Sequence, residues 1–593
     1  MQNAQAYLEV VRSRGKRRLE LSRVYRNLKN RELFLMAYAK LYANAGALTP
    51  GTDAKDTADG MSLKRIDKII AALDAGLYEW TPVRRVHIPK QNGKLRPLGL
   101  PSWSDKLLQE VLRMVLTAYY EPQFSEASHG FRPERGCHTA LQNINERWQG
   151  IKWFIEGDIK GCYDNIDHTK LLEVMGRKIK DNRLMKLLRG LLDAGYYEAW
   201  TYHQTYSGVP QGGVLSPLLM NILLNELDEY VEQTLIPKYT RGKARQGNPE
   251  YQQIQGRIQY AKRKGDKATY QILRQQRNEL SSGLANDNSF RRLKYVRYAD
   301  DVLLGFIGPK QEAEEIKQEL KAGLQTIGLE MSEEKTLITH ATSERARFLG
   351  YEVEMVQCNT KHTKGRRSVN GHPALHVPVD VVLKSKARYT TRGKPRHRAE
   401  LMAYSDYDIV MKYSVEFQGL ANYYLLAGDV SMKMHSVKWS CEQSLVKTLA
   451  DKHKKPITWV YRKYKRTTEE GVTAIVVEVP REGKKPLIAK FGANPISIDK
   501  RATIHDVKAK IWTHDSELVT RLLADKCELC GSTQDVEVHH VRKLKEIEQR
   551  YKGRPNPPLW AVRLMKIRRK TLVVCARCHR QIHAGTYDGA KLK

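Results

Sequence analysis

Two short apolar runs, at 293–296 and 302–307, flank the tetrapeptide YADD at 298–301. Apolar runs of this length bounded by turn-forming residues predict a β-hairpin, here with Asp300 and Asp301 at its tip. Adjacent carboxylates repel each other unless divalent cations neutralise them, and paired Mg²⁺ ions held in this way serve phosphoryl transfer. Asp also favours ordinary turns, so the tetrapeptide alone leaves both interpretations open.

A second apolar segment, 151–159, supplies another carboxylate. The segment predicts a strand with Asp158 near its end, and Gly161 turns the chain directly afterwards. Tyr163 then places a large aromatic ring five residues after Asp158. A half-buried aromatic at a strand end is the ordinary interpretation of that ring.

An Asn-Gly pair at 92–93 suits a type I′ turn between the runs 83–89 and 95–100, and predicts a second hairpin. Lys90 and Arg96 place positive charge near its tip, which suits an anionic ligand. A solvated surface hairpin is the alternative.

Aromatic and aliphatic residues recur at steps of three and four from about 399 to 454, which predicts a helical bundle. The sequence favours core packing of its tyrosines over base stacking. The run 472–479 then alternates like a strand.

Two CxxC pairs near the end of the chain are typical of a structural Zn²⁺ site, with four thiolate ligands: Cys527, Cys530, Cys575 and Cys578. The other four cysteines are scattered, which argues against a disulfide framework and for a reducing compartment. His579 and His583 stand at i and i+4 on one face of a predicted helix, a spacing that can hold one metal ion.

The chain is strongly basic, with 101 Lys and Arg against 66 Asp and Glu and a formal charge of +35. Such a charge predicts a polyanionic partner, and nucleic acid is favoured over a membrane because the basic stretches lack an apolar helical face. No apolar run reaches the roughly 18 residues of a membrane span, and no signal peptide is recognisable. We therefore expect a cytoplasmic protein, with bacterial cytoplasm favoured.

Positive charge is concentrated in a segment from 238 to 297, which holds 15 Lys or Arg against 4 Asp or Glu. A solvated loop and a folded element that clamps RNA are both compatible with this composition. The length of 593 residues is enough for several domains.

Three segments together resemble the reverse transcriptases encoded by group II introns: GDIKGCYDNIDH, SGVPQGGVLSPLLMNILLNELD and RYADD. The resemblance implies a right-hand polymerase with fingers, palm and thumb. Asp158 and Asp300 would hold the catalytic Mg²⁺ ions, and Asp301 would contribute more weakly.

The same resemblance assigns substrate contacts. Lys90 and Arg96 would contact the nucleotide triphosphate, and Gln211 would lie over the incoming base and ribose. Tyr163 would be the steric gate that rejects a 2′-OH, at a position where family members usually carry Phe. Lys335 would lie near the phosphates on the primer side.

The C-terminal Cys and His pattern resembles an HNH endonuclease of the ββα-metal form. His540 would be the general base that activates water against a DNA phosphodiester. The middle Asn of many HNH sites falls near Lys570 or Thr571, and neither residue is Asn. A purely structural zinc module is the alternative. The implied ligands of the catalytic divalent ion are His539, His579 and His583.

The resemblance covers nearly the whole chain and implies a multidomain α+β protein. Its predicted parts are fingers and palm at 1–360 with the basic insertion at about 238–297, a linker and α-helical thumb (domain X) at 361–467, a small DNA-binding segment at 468–520, and a zinc-stabilised HNH domain at 521–593.

Such a protein would bind its group II intron RNA, assist splicing as a maturase, nick a double-stranded DNA target and copy the intron from the exposed 3′-OH with dNTPs. A splicing cofactor without enzyme activity, a retron-like reverse transcriptase and an RNA-dependent RNA polymerase are the alternatives.

Overall fold

The computed structural model describes residues 3–44, 46–89, 93, 95–210, 212–284, 287–358, 361–363, 366–367, 370–468, 471–481, 484–504, 516–542, 544–551, 557–567 and 569–587. None of the described helices is both long and apolar enough to cross a membrane.

The N-terminal part is a layer of helices with one β-hairpin. In its third helix, Ile66, Ile69 and Leu73 form the buried stripe, Ser62 caps the first turn, and Gly76 ends the helix in a left-handed conformation. The elements of this part are α1 (Ala4–Lys16), β1 (Leu21–Ser22), α2 (Arg31–Leu41), α3 (Leu63–Ala75), β2 (Val83–Pro89), β3 (Leu95–Leu100) and α4 (Trp103–Tyr120).

The next part surrounds a five-stranded sheet with the order β11-β5-β10-β9-β4. Its elements are β4 (Ser128–His129), α5 (Cys137–Arg147), β5 (Trp153–Asp158), α6 (His168–Gly176), β6 (Ile179–Lys180), α7 (Asn182–Asp193), β7 (Tyr196–Glu198), β8 (Thr201–His203), α8 (Ser216–Tyr230), α9 (Ile236–Lys238), α10 (Pro249–Lys264), α11 (Lys267–Glu279), β9 (Arg292–Tyr298), β10 (Asp301–Ile307), α12 (Lys310–Thr326) and β11 (Leu337–His340). The predicted strands around the YADD tip and before Asp158 are confirmed as β9, β10 and β5.

The basic insertion contains a folded helical hairpin. Asn248 caps α10, Gly265 ends it in a left-handed conformation, and Asp266 caps α11 directly afterwards. Ile258 and Leu273 are buried, while most charged side chains of the pair face solvent. The hairpin therefore presents a basic outer surface on a packed apolar seam.

In the residues that the structure describes, the following part combines four α-helices with short strands, and its two longest helices lie in the segment where the helical bundle was predicted. Its elements are β12 (Ala346–Phe348), β13 (Tyr351–Val356), β14 (His362–Thr363), β15 (Arg366–Arg367), β16 (His372–His376), α13 (Val379–Ala387), β17 (Thr390–Thr391), β18 (Lys394–Pro395), α14 (Asp406–Tyr423), α15 (Val430–His453), α16 (Ile457–Tyr464), β19 (Lys465–Thr467), β20 (Thr473–Arg481) and β21 (Lys484–Phe491).

Tyr413 of α14 is buried and hydrogen-bonds Ser444 and Thr448 of α15, so this tyrosine packs in the core as the sequence favoured. Strands β19, β20 and β21 form one sheet whose residues Ile475 and Phe491 join the same hydrophobic core. The predicted division at 467/468 falls inside this sheet, and the division at 360/361 falls between the paired strands β13 and β16.

The C-terminal part is a two-stranded sheet with helices: α17 (Glu517–Leu523), β22 (Val536–His540), α18 (Leu544–Tyr551), α19 (Leu559–Ile567), β23 (Thr571–Cys575) and α20 (Ala576–Ala584). The predicted division at 520/521 falls inside α17. Leu518, Leu522 and Val538 belong to the same buried cluster as the helices of the N-terminal part. The C-terminal part is therefore docked on the N-terminal part.

A buried ion pair connects the central sheet to α8. Arg297 of β9 and Asp228 of α8 are both fully buried, and the guanidinium donates to both carboxylate oxygens at 2.7 and 2.5 Å. The same guanidinium also donates to the Asn221 amide oxygen, the Ser128 hydroxyl and the Ala299 carbonyl. This network fixes the backbone of the YADD turn.

Arg297→Met should lower the free energy of unfolding by about 3–5 kcal/mol, because it leaves the Asp228 carboxylate buried without its counter-charge. Urea unfolding monitored by tryptophan fluorescence measures the effect. Arg177 is the matched control, since its side chain is 52% exposed in its pair with Glu226. We expect Arg177→Met to change stability by less than about 1 kcal/mol. Equal effects of the two substitutions would contradict the bracing role of Arg297.

Candidate functional sites

Three carboxylates meet at one end of the central sheet. Strands β5 and β10 pair antiparallel with Asp158 opposite Asp301, and β10 pairs with β9 so that Asp301 also stands opposite Tyr298. Only Ala299 and Asp300 remain in the turn, and Ala299 adopts a positive φ of 53°. The tight turn places Asp300 beside the end of β5, so residues far apart in sequence form one acidic cluster.

The cluster has more negative charge than its surroundings neutralise. Burial, together with the charges of Asp300 and Asp158, raises the pKa of Asp301 to about 6. Burial and the charge of Asp158 also raise the pKa of Asp300. The Lys335 ammonium lies 2.8 Å from a carboxylate oxygen of Asp158 and is the cation in contact with it. Excess carboxylate charge of this kind suits divalent cations.

The predicted gate residue lies next to this cluster. Tyr163 is half-buried, and its pKa is raised by burial and by the charge of Asp300, while the charge of Arg96 opposes that rise. Its carbonyl accepts a hydrogen bond from the Val209 amide at 2.7 Å. The arrangement therefore brings Tyr163 and the exposed Arg96 of β3 to the acidic cluster.

The glycine-rich loop closes the same site from the side of the N-terminal hairpin. Gly212 has a φ of 103°, and a Cβ there would lie 2.8 Å from the Gly99 carbonyl oxygen, so only glycine fits against β3. Lys90 and Gln211 lie outside the described residues, and their predicted contacts stay predictions.

The four cysteines of the two CxxC pairs come together in the C-terminal part. Their sulfur atoms all lie within 4.8 Å of one another, and the Cys530 and Cys575 sulfurs are 3.7 Å apart. All four are free thiols, and the Cys530 amide donates to the Cys527 sulfur. This donor set suits tetrahedral Zn²⁺.

A second metal-type cluster lies where the C-terminal part meets the N-terminal part. It comprises His539 on β22, His579 and His583 on α20, and Asp59, with all ligand atoms within 4.8 Å of one another. The carboxylate of Asp59 lies 2.8 Å from His583 Nε2, 3.2 Å from His579 Nε2 and 3.6 Å from His539 Nδ1. The structure thus joins the three predicted histidines and adds an unpredicted aspartate.

The residues of this cluster fit a divalent ion. Both ring nitrogens of His539 are buried and have no hydrogen-bond partner among the described residues. A buried imidazole without a partner is costly unless a bound ion takes one of its nitrogens. Glu537 accepts from His579 Nδ1 at 2.6 Å, which orients the other ring nitrogen of His579 toward the cluster.

His540 lies next to the cluster but faces away from it. Its Nε2 is 3.0 Å from the hydroxyl of Tyr38 in α2, and its ring packs against Tyr42, the residue that follows this helix. Its backbone amide donates to Asp59 at 2.7 Å, and burial lowers the pKa of its imidazole to about 4. Thr571, one of the two residues near which the HNH asparagine is expected, stands opposite His540 in the strand pair.

Sequence reasoning missed five residues that the structure places at these sites, among them Glu537, the partner of His579. Arg297 and Asp228 lie within recognised motifs. Asp228 shares the buried face of α8 with leucines, and this position could have indicated a buried charge that needs a partner. Tyr38 and Asp59 carry no local signal, because they belong to a part of the chain remote from the histidines they touch.

An acidic cluster beside a basic hairpin, and a separate Cys and His unit, are together typical of a nucleic-acid polymerase joined to a metal-dependent nuclease. Comparison with known proteins agrees. Residues 88–248 and 266–353 match the family described as reverse transcriptase (RNA-dependent DNA polymerase). Residues 370–506 match type II intron maturase, and residues 527–579 match AI2M/AI1M-like HNH endonuclease.

Similar proteins extend this match to nearly the whole chain. The group II intron-encoded protein LtrA of Lactococcus lactis subsp. cremoris is 37% identical over 607 residues, which cover 98% of this chain and 99% of the relative. An uncharacterised 91 kDa protein in the cob intron of Schizosaccharomyces pombe is 33% identical over 94% of this chain and 69% of its own length. Protein YkfC of Escherichia coli is 32% identical over 56% of this chain and 84% of its own length.

The chain belongs to the group II intron-encoded proteins, with reverse transcriptase, maturase and HNH endonuclease domains. The predicted family is confirmed, and so is the mixed α and β multidomain architecture. The maturase match runs through β19, β20 and β21, which is consistent with their packing on α14.

Cys578→Ser should remove about one Zn²⁺ per chain and loosen the C-terminal part, because binding free energy at a structural zinc site is also folding free energy. Metal analysis and limited proteolysis measure the two effects. Cys358→Ser is the control, since Cys358 lies in a different part of the chain. This variant should keep the full zinc content. A full zinc content in Cys578→Ser would contradict the four-thiolate site.

Proposed function

We propose that this reverse transcriptase and endonuclease copies its intron RNA into a DNA target that the HNH domain has nicked, using Asp158 and Asp300 as the main Mg²⁺ ligands. The observation that carries the polymerase assignment is the convergence of Asp158, Asp300 and Asp301 at one end of the sheet. Mg²⁺ bound there supplies the charge that stabilises phosphoryl transfer. Asp301 contributes from the second strand of the hairpin.

The surrounding residues bind and select the nucleotide. Arg96 and Lys90 neutralise the triphosphate, and the loop that carries Gln211 lies beside β3, over the incoming nucleotide. Tyr163 fills the space that a ribose 2′-OH would need, so the site selects dNTPs. Lys335, which pairs with Asp158 here, turns to the primer phosphates when cations neutralise that carboxylate.

The endonuclease role rests on the three histidines that converge at β22 and α20. His539, His579 and His583 hold a divalent ion, which suits Lewis-acid chemistry on a phosphodiester. Glu537 fixes the orientation of His579. His540 acts as general base once its ring is free to reach water. The cysteine cluster holds Zn²⁺ and keeps this small domain folded.

The maturase role rests on basic surfaces that lie outside both sites. The hairpin of α10 and α11 presents Lys262, Arg263 and Lys264 as an exposed basic turn. Neutralising phosphates of the intron RNA with such a surface makes the binding strongly dependent on salt. The DNA-binding role of the segment from 468 to 520 and the bacterial cytoplasmic location stay predictions.

Asp158→Asn and Asp300→Asn should each lower Mg²⁺-dependent dNTP incorporation on a primed RNA template by at least about 100-fold, because each removes charge stabilisation at the reacting phosphate. Glu344→Gln, an exposed carboxylate elsewhere in the same part, should retain activity. Nicking of DNA should survive all three substitutions. Unchanged synthesis in Asp300→Asn would overturn the polymerase site, and no synthesis by the unaltered chain would favour a maturase without enzyme activity.

Tyr163→Ala should raise rNTP incorporation relative to dNTP incorporation by about tenfold or more, because the ring no longer excludes the 2′-OH. Tyr163→Phe keeps the ring and should keep the discrimination, which separates shape from the hydroxyl group. Single-nucleotide extension with each triphosphate measures the ratio. If Tyr163→Ala discriminates as well as the unaltered chain, the gate lies elsewhere.

A further inference from the structure

An acidic residue of the N-terminal part lies inside the histidine cluster of the endonuclease. Asp59 precedes α3, and its carboxylate contacts His579 and His583 while it accepts the backbone amide of His540. The Asp59 carboxylate therefore lies within the cluster, close enough to share an ion with the three histidines.

The neighbouring backbone holds Asp59 in this position. The Gly60 amide donates to the Val538 carbonyl at 2.9 Å, and the Val538 amide donates to the Met61 carbonyl at 2.8 Å. Residues after Asp59 thus pair with β22 like a short additional strand. Ala58 and Met61 are fully buried in this contact, which makes it a packed interface rather than a chance meeting of side chains.

Asp59 changes the type of metal site that the cluster forms. Three histidine ligands leave one position of a tetrahedral ion open, as catalytic sites require, whereas four protein ligands are the mark of a closed structural site. The Asp59 carboxylate has an oxygen atom within 4.8 Å of the three histidine nitrogens and would supply a fourth ligand to an ion held by them. In the three-histidine site, that position is the one a phosphate oxygen of DNA needs.

The general base is covered by the same contact. His540 is 8% exposed, and its Nε2 is engaged by the fully buried Tyr38 hydroxyl. The Nε2 atom is therefore not free to activate water while it is bonded to Tyr38 of α2. Both requirements for cleavage, an open metal position and a free base, are therefore blocked by the same part of the chain.

We propose that Asp59 is the fourth ligand of the endonuclease metal ion, and that this ligation holds the HNH domain closed on the N-terminal part until a DNA phosphate displaces the carboxylate. The inference rests on the metal site assigned above to His539, His579 and His583. An ion bound there joins the N-terminal part to the HNH domain. Removal of the ion should therefore loosen the contact between them and abolish nuclease activity. Opening also frees His540.

The full-length chain with zinc in the cysteine site is titrated with Mn²⁺ and followed by the electron paramagnetic resonance signal of free Mn²⁺. The variants are Asp59→Asn, His583→Ala and the control Asp53→Asn, an exposed aspartate six residues away. Any Mn²⁺ at the polymerase site is common to all of them. Asp59→Asn should weaken one Mn²⁺ site by at least about tenfold relative to Asp53→Asn.

Two further readouts separate a closing role from a cleavage role. At saturating Mn²⁺, Asp59→Asn should nick supercoiled plasmid faster than the unaltered chain, because the fourth position is easier to open. Amide hydrogen exchange across Val536–His540 should also accelerate in Asp59→Asn, since the Val538 amide bonds Met61 only in the closed state. Reverse transcription by Asp59→Asn should be unchanged, which serves as the control that this variant is folded.

Each contrary result has one meaning. Mn²⁺ affinity in Asp59→Asn equal to that in Asp53→Asn, with a weakened site in His583→Ala, would overturn Asp59 as a ligand and leave the histidine site standing. Slower nicking in Asp59→Asn at saturating Mn²⁺ would make Asp59 part of cleavage and overturn the closed state. Unchanged Mn²⁺ binding in His583→Ala would overturn the metal site itself, and the inference with it.

Discussion

The polymerase site depends on the buried pair of Arg297 and Asp228. A hairpin turn with two carboxylates would be an unstable tip by itself, since like charges repel and Ala299 has a positive φ. The guanidinium of Arg297 donates a hydrogen bond to the Ala299 carbonyl, and the carboxylate of Asp228 on α8 holds that guanidinium in place. Helix, sheet and turn are thereby joined at a point fully shielded from water, where hydrogen bonds and charges interact strongly.

Both candidate sites follow the same physical principle. In each, the fold holds together charged or polar groups that lack enough partners of their own and can therefore bind an ion. In the polymerase site, the excess is three carboxylates with Lys335 in contact. In the endonuclease site, it is a set of imidazoles that includes His539, buried without a hydrogen-bond partner among the described residues. Packing in the rest of the fold offsets the free-energy cost of burying these polar groups, so the sites are preorganised before the ion binds.

Much of the local structure could be predicted from the sequence. The YADD hairpin, the strand before Asp158, the two paired strands that flank Asn92-Gly93 and the helical bundle all appear where the apolar patterns placed them. Asn92 itself lies outside the described residues, so its turn type stays a prediction. Domain borders were less predictable, because β19 and β16 pair with strands on the other side of the expected divisions. A strand's partner depends on long-range pairing, which a local pattern does not specify.

The sequence by itself determined the family, and it predicted the three carboxylates of the candidate polymerase site and the Cys and His groups that could hold metal ions. Each of these lies in short segments whose spacing has a direct structural meaning. Only the tertiary structure decided that Asp228 neutralises Arg297 and that Asp59 and Tyr38 meet the endonuclease histidines. Those contacts join residues separated by up to 524 positions. Their formation depends on which apolar surfaces of the domains pack against each other, and local periodicity along the chain does not specify that pairing.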